Sequence, residues 1–142
     1  MQPEFGFICV SACRERGAWS VRGIHTSVFP SSVPYRHNPV VLYLRVKMKP
    51  DEVWPERGAF TLELLDPYGE KSQWWTMNFS LHRPEDPEVG TVDVPIELKE
   101  ITLSHYGTYL FKLSLGRGVP SLEVPLVVGY LPEGLDAPQP ST

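Results

Sequence analysis

His105-Tyr106-Gly107-Thr108-Tyr109-Leu110-Phe111, continued by Lys112-Leu113-Ser114-Leu115, is the stretch that decides the fold. Glycine stands two residues before a tyrosine and an apolar residue two after it. That is the spacing of a corner at which an antiparallel sandwich turns into a late core strand, with the tyrosine hydroxyl bonded to backbone a few residues upstream. From Tyr109 the pattern alternates, so Tyr109, Phe111, Leu113 and Leu115 face inward. Gly116-Arg117-Gly118 is expected to make a hairpin, and Leu122 to Val128 to return as the last strand, with Pro125 favouring an edge.

Outward from the corner, the 15 prolines and 11 glycines fall between apolar runs, the punctuation of many short strands, and helical periodicity is almost absent. Phe5 to Ala12 reads as a first strand, with Phe5, Phe7 and Cys9 on one face and Ile8 and Val10 on the other. Arg14-Glu15-Arg16-Gly17 turns the chain into a strand from Trp19 to Val28, interrupted at Gly23 by a bulge or a close backbone approach. A proline-bounded loop, Pro30 to Pro39, leads into the clearest alternation of the chain. There Val40, Leu42, Leu44, Val46 and Met48 oppose Val41, Tyr43, Arg45 and Lys47, and the first set faces the core. After a second loop, Lys49 to Arg57, the strand Ala59 to Leu65 carries Phe60, Leu62 and Leu64 inward. Asp66-Pro67-Tyr68-Gly69 has the residue preferences of a type I turn, so the strand Gln73 to Leu81 returns as a hairpin partner. That strand sends Trp75, Met77, Phe79 and Leu81 to one face and Trp74, Thr76, Asn78 and Ser80 to the other. His82 to Gly90 is an acidic loop, Thr91 to Leu98 a strand broken or edged by Pro95, and Lys99 to Ser104 runs to the corner. Val40, Leu42, Leu44, Val46, Phe60, Leu62, Trp75, Phe79, Tyr109, Phe111 and Leu113 are expected to form one core.

About seven to nine strands at this spacing give an all-β fold, a single antiparallel sandwich over residues 1–130, with a flexible proline-rich tail over 131–142. The order of Phe5-Gly6-Phe7-Ile8-Cys9, Trp19-Ser20-Val21-Arg22-Gly23-Ile24, Val40-Val41-Leu42-Tyr43-Leu44, Leu64-Leu65-Asp66-Pro67-Tyr68-Gly69 and Tyr106-Gly107-Thr108-Tyr109-Leu110-Phe111 resembles an uncharacterised family of small bacterial or phage immunoglobulin-like β-sandwich proteins. The resemblance covers nearly the whole domain, and it implies the fold and a bacterial or phage origin but no activity. Phe111 stands where secreted immunoglobulin domains place their second disulfide cysteine, so packing alone must hold the core.

A chain of 142 residues with 42% hydrophobic content is enough for one self-sufficient core. The 13 basic and 17 acidic residues are interspersed and sum to -4, so no basic stripe is offered to nucleic acid. No apolar run is long enough to span a bilayer, and Met1-Gln2-Pro3-Glu4 is unlike the start of a secretion signal, so a cytoplasmic location without membrane contact is expected. Cys9 and Cys13 would lie about 13 Å apart along a regular strand, too far for a disulfide, and are read as free thiols. With His25, His37, His82 and His105 they show no paired ligand spacing, so no metal or other cofactor is expected.

Reaction chemistry is not evident. Ser104-His105 lacks a third group, and neighbouring residues of a turn point apart. Glu85, Asp86 and Glu88 sit in a proline-rich loop of the kind that is simply solvated, and Gly116-Arg117-Gly118 has no following helix to bind a dinucleotide. The chain is therefore read as a non-catalytic protein-interaction module, an accessory subunit of a bacterial or phage multi-component system, with a protein partner. The alternatives are a small-ligand or carbohydrate-binding sandwich stacking its ligand on Trp54 or Trp74, and an enzyme of unrecognised type. The candidate interaction surface joins an outward Trp74 to Tyr43 and Arg45, contiguous only if their strands share a sheet, and adds Tyr35, Arg36 and His37 on the proline-bounded loop. Against it stand two plainer readings: Trp74 lying over a basic side-chain stem, and the loop serving as an ordinary crossing between sheets.

Overall fold

Period-two alternation bounded by turns produces strands throughout the computed structural model, which describes residues 1–49, 58–79, 90–116 and 119–130. The described residues form β1 (Gln2–Cys9), β2 (Ser11–Glu15), β3 (Ala18–Arg22), β4 (Ser27–Val28), β5 (Tyr35–His37), β6 (Val40–Lys47), β7 (Gly58–Leu65), β8 (Lys71–Phe79), β9 (Thr91–Leu98), β10 (Ile101–Leu103), β11 (Gly107–Ser114) and β12 (Leu122–Val128). The fold is all-β, with more and shorter strands than the sequence suggested. Expectations for Trp54, the Phe79 side chain, Leu81, the acidic loop, Arg117-Gly118 and the tail 131–142 lie outside the described residues.

A three-stranded sheet, β1-β6-β9, faces a five-stranded one, β4-β12-β11-β7-β8, and two small ribbons, β2-β3 and β5-β10, complete the structure. Ile8, Leu42, Leu44, Val46 and Ile96 from the first sheet meet Phe60, Leu62, Leu64, Tyr109, Phe111, Leu113, Val124 and Leu126 from the second in one buried cluster. Inter-sheet burial of this kind is what the alternation on β6, β7 and β11 requires. Trp75 and Met77 pack on the cluster from its margin and are only partly buried, because β8 is the outer strand of its sheet. Among the described residues all strand pairings are antiparallel except β12 with β4, where Val127 and Val128 run parallel to Ser27 and Val28.

Three departures from the sequence reading have local causes. The first strand begins at Gln2 and stops at Cys9, leaving Val10 half exposed, because the chain swings into a separate hairpin through β2 and β3. The Trp19–Val28 run breaks at Gly23, where φ is +65° and an added Cβ would lie 2.6 Å from a Val10 methyl. Both a left-handed backbone and a close approach thus select glycine there. The third is the proline-bounded loop, which contains β5 paired in register with β10: His37 opposite Ile101 and Tyr35 opposite Leu103. A three-residue strand has too few positions to display a period.

Both turns that anchor the five-stranded sheet form as their residues dictate. The Gly69 N–H donates to the Asp66 carbonyl at 2.9 Å, and the Asp66 carboxylate accepts the N–H groups of Tyr68 and Glu70, each at 2.9 Å. At the corner, the Tyr109 hydroxyl accepts the N–H groups of Ser104 (2.9 Å) and His105 (3.2 Å), and its ring is fully buried. Gly107 enters β11 at φ +130°, and a Cβ there would meet the Pro67 ring at 2.7 Å. The corner and the Asp66 turn are therefore packed against each other.

Candidate functional site

The outer face of the three-stranded sheet is an occupied surface. Register places Phe5, Arg45 and Asp93 in one cross-strand row and Phe7, Tyr43 and Pro95 in the next. Arg45 grips the Asp93 carboxylate with two bonds, Nε at 2.6 Å and Nη2 at 3.0 Å, while the Tyr43 hydroxyl donates to the same carboxylate. The Arg45 guanidinium also lies 4.9 Å from the centre of the Phe5 ring. Burial, reinforced by the bond to Asp93, pushes the Tyr43 hydroxyl far above its usual range. The Arg45 bond holds the Asp93 carboxyl below the usual carboxylate value, outweighing desolvation.

This network corrects the outward reading of Tyr43. Its side chain does point away from the main core, yet only 4% of Tyr43 is exposed. The β2–β3 hairpin folds over it, bringing Ala12, Trp19 and Val21 onto Cys9, Val41 and Tyr43, with Trp19 edge-on to Tyr43 at 6.0 Å and Phe7 stacked on it at 5.1 Å. Trp74 belongs to the other sheet, so the patch of Tyr43, Arg45 and Trp74 is not contiguous. The sequence lacked any sign that residues 11–22 would serve as a lid. Asp93, between Val92 and Val94 in a strand, was the one readable hint of a partner for Arg45.

The outer face of the five-stranded sheet is open among the described residues. One row crosses it as Trp74, Glu63, Lys112 and Glu123, and the adjacent row as Leu65, Leu110 and Pro125. Trp74 is 64% exposed, and beyond the second row Val127 is exposed as well. Lys71 bonds to Glu63 at 3.0 Å and sits 5.8 Å from the Trp74 ring centre, so the plainer reading of that indole is met in part while most of its surface stays free. An apolar band flanked by alternating charges is the composition of an interface centre and its rim.

Tyr35, Arg36 and His37 are brought together on β5, away from both faces. Tyr35 packs on the main core, Arg36 pairs with Glu100 at 2.7 Å, and His37 stacks on His25 with ring centres 5.5 Å apart. Gln73 of β8 holds the companion strand, accepting the Thr102 N–H at 2.8 Å and donating to the Glu100 carbonyl at 3.3 Å.

Ser104 and His105 present their N–H groups to Tyr109, and the His105 ring meets Tyr68 edge-on at 5.2 Å. Cys9 and Cys13 are free thiols. Burial raises the first and a hydrogen bond to Glu15 the second, the opposite of what an activated thiolate needs. A shallow groove of about 260 Å³ lies between Val10, Pro39, Glu97 and Lys99. Among the described residues no three of His, Cys, Asp and Glu gather closely enough to hold a metal ion, and no helix is long and apolar enough to cross a membrane.

No curated protein matches this chain. A family model instead matches residues 4–129, from within β1 to the residue after β12. On that match the chain belongs to a family of unknown function (DUF6941).

Proposed function

We propose that this protein is a non-catalytic protein-interaction module with an immunoglobulin-like fold, working in the cytoplasm as an accessory subunit of a bacterial or phage multi-component system, and that its partner binds the outer face of the five-stranded sheet. The observation that carries the reading is the exposed Trp74 at the end of the row Glu63, Lys112 and Glu123, beside the apolar band Leu65, Leu110 and Pro125. Exposed tryptophan next to desolvatable apolar surface is the make-up of a binding anchor. Free thiols support a reducing compartment. Both thiols are held above their usual range, which supports a binding role over thiolate catalysis.

The test is co-purification from the native host with tagged wild type, Trp74→Ala and a control altered on the covered side, Arg22→Ala, identified by mass spectrometry and followed by titration against the recovered protein. A stoichiometric partner retained by wild type and the control but lost with Trp74→Ala is the expected result. Equal retention by all three moves the interface elsewhere.

A further inference from the structure

We propose that the stacked pair His25–His37 is an acid-sensitive latch that holds the β5 segment against the link between β3 and β4. The rings lie 5.5 Å apart and within 8° of parallel, so a side chain on each segment grips the other. His25 Nδ1 is 3.0 Å from the Gly23 carbonyl oxygen, and His37 Nδ1 is 2.7 Å from that of Asn38. A carbonyl only accepts, so both Nδ1 atoms carry the proton and both Nε2 atoms are bare when the rings are neutral. A second proton on either ring must go to Nε2. For His25 that atom is buried with no hydrogen-bond partner among the described residues. An N–H at that atom would meet no acceptor, and charge on both rings would set two like charges face to face.

The titratable and charged groups on the surrounding elements do not relieve this. Arg36 on β5 and Glu100 beside β10 satisfy each other at 2.7 Å, Tyr35 presents its ring edge to His37 at 5.8 Å, and β1 contributes Ile8, bridged to His25 through backbone. Desolvation is the main influence on His37 and lowers it, with the His25 imidazole adding to the effect against the bond to Asn38. For a histidine depressed in the folded state, the open state takes the proton first. The latch is thus fully closed above pH 6.5 and weakens as pH falls below that value.

Opening has somewhere to propagate. Among the described residues β5 is bonded to β10 alone, in a ribbon separate from both large sheets, and Val33 and Tyr35 are apolar side chains by which this segment rests on the core. Acid release would uncover them.

Hydrogen exchange, corrected for intrinsic rates, reads this at pH 7.5 and 5.5. The expected result is several-fold faster exchange of the β5 and β10 amides at the lower pH with β11 and β12 unchanged, and loss of that response in His25→Asn and His37→Asn. Imidazole titration by NMR gives a second readout that does not depend on a variant folding: in wild type the two rings take protons in succession, not together. Where His25→Asn folds, its His37 midpoint moves upward. Unchanged β5 exchange in wild type, the same acid response in both variants, or rings that titrate independently would overturn the latch.

Discussion

Tyr109 is the residue on which the corner turns, and its role separates cleanly into ring and hydroxyl. The ring fills the core and the hydroxyl accepts two backbone N–H groups, those of Ser104 and His105. Tyr109→Phe keeps the first and removes the second, leaving two donors unsatisfied, so it should lower unfolding stability by about 1 to 3 kcal/mol in a urea titration without changing the fold. Gly107→Ala tests the same corner from the backbone. It requires an alanine at φ +130° with its methyl 2.7 Å from Pro67, and should cost about 2 kcal/mol or more by thermal melt. The corner was legible because its geometry follows from one short run, Tyr106 to Phe111, with a fixed spacing. Tyr43 was half legible: the alternation on β6 gave its direction, but burial depends on a hairpin distant from it in sequence.

At the scale of elements, the row Phe5–Arg45–Asp93 joins all three strands of the smaller sheet. Arg45 remains more than a third exposed, so solvent screening keeps the ion pair's own contribution at or below about 1 kcal/mol. Removing the acceptor is another matter, because Tyr43 also depends on it. Asp93→Asn should destabilise the protein by about 1 to 2 kcal/mol at neutral pH. The pH dependence has a definite sign. Asp93 is depressed in the folded state, so its stabilisation is present above the unfolded value of 3.8 and is lost as pH falls through the folded one. Urea midpoints measured from pH 5 to pH 2 should therefore fall less steeply for Asp93→Asn than for wild type. Long strands such as β6 and β11 were readable from period-two patterns, whereas β4, β5 and β10 were not, having two or three residues each.

For the whole molecule, the two large sheets share one core and differ in what covers their outer faces. Trp74 and Trp75, adjacent on β8, probe the two sides of one sheet. Trp74→Ala should leave the melting temperature nearly unchanged while weakening a complex on that face by about 2 kcal/mol or more. Trp75→Ala should lower stability by about 2 to 3 kcal/mol, less than for a fully enclosed tryptophan because its ring sits at the core margin. Paired melts and titrations separate the outcomes; equal losses of stability would show Trp74 to be structural. The direction of both indoles followed from alternation alone, but the assignment of β6 and β8 to different sheets did not, since pairing partners are set by long-range packing.

The β2–β3 hairpin also gives the molecule a usable orientation. Its tip, Arg16-Gly17, is exposed and lies on the broad side opposite Trp74. A biotinylation peptide or fluorophore grafted into that turn would moor the protein to a sensor surface with the Trp74 side turned toward bulk solution. The same graft on β8 or β12 would bury the region to be probed.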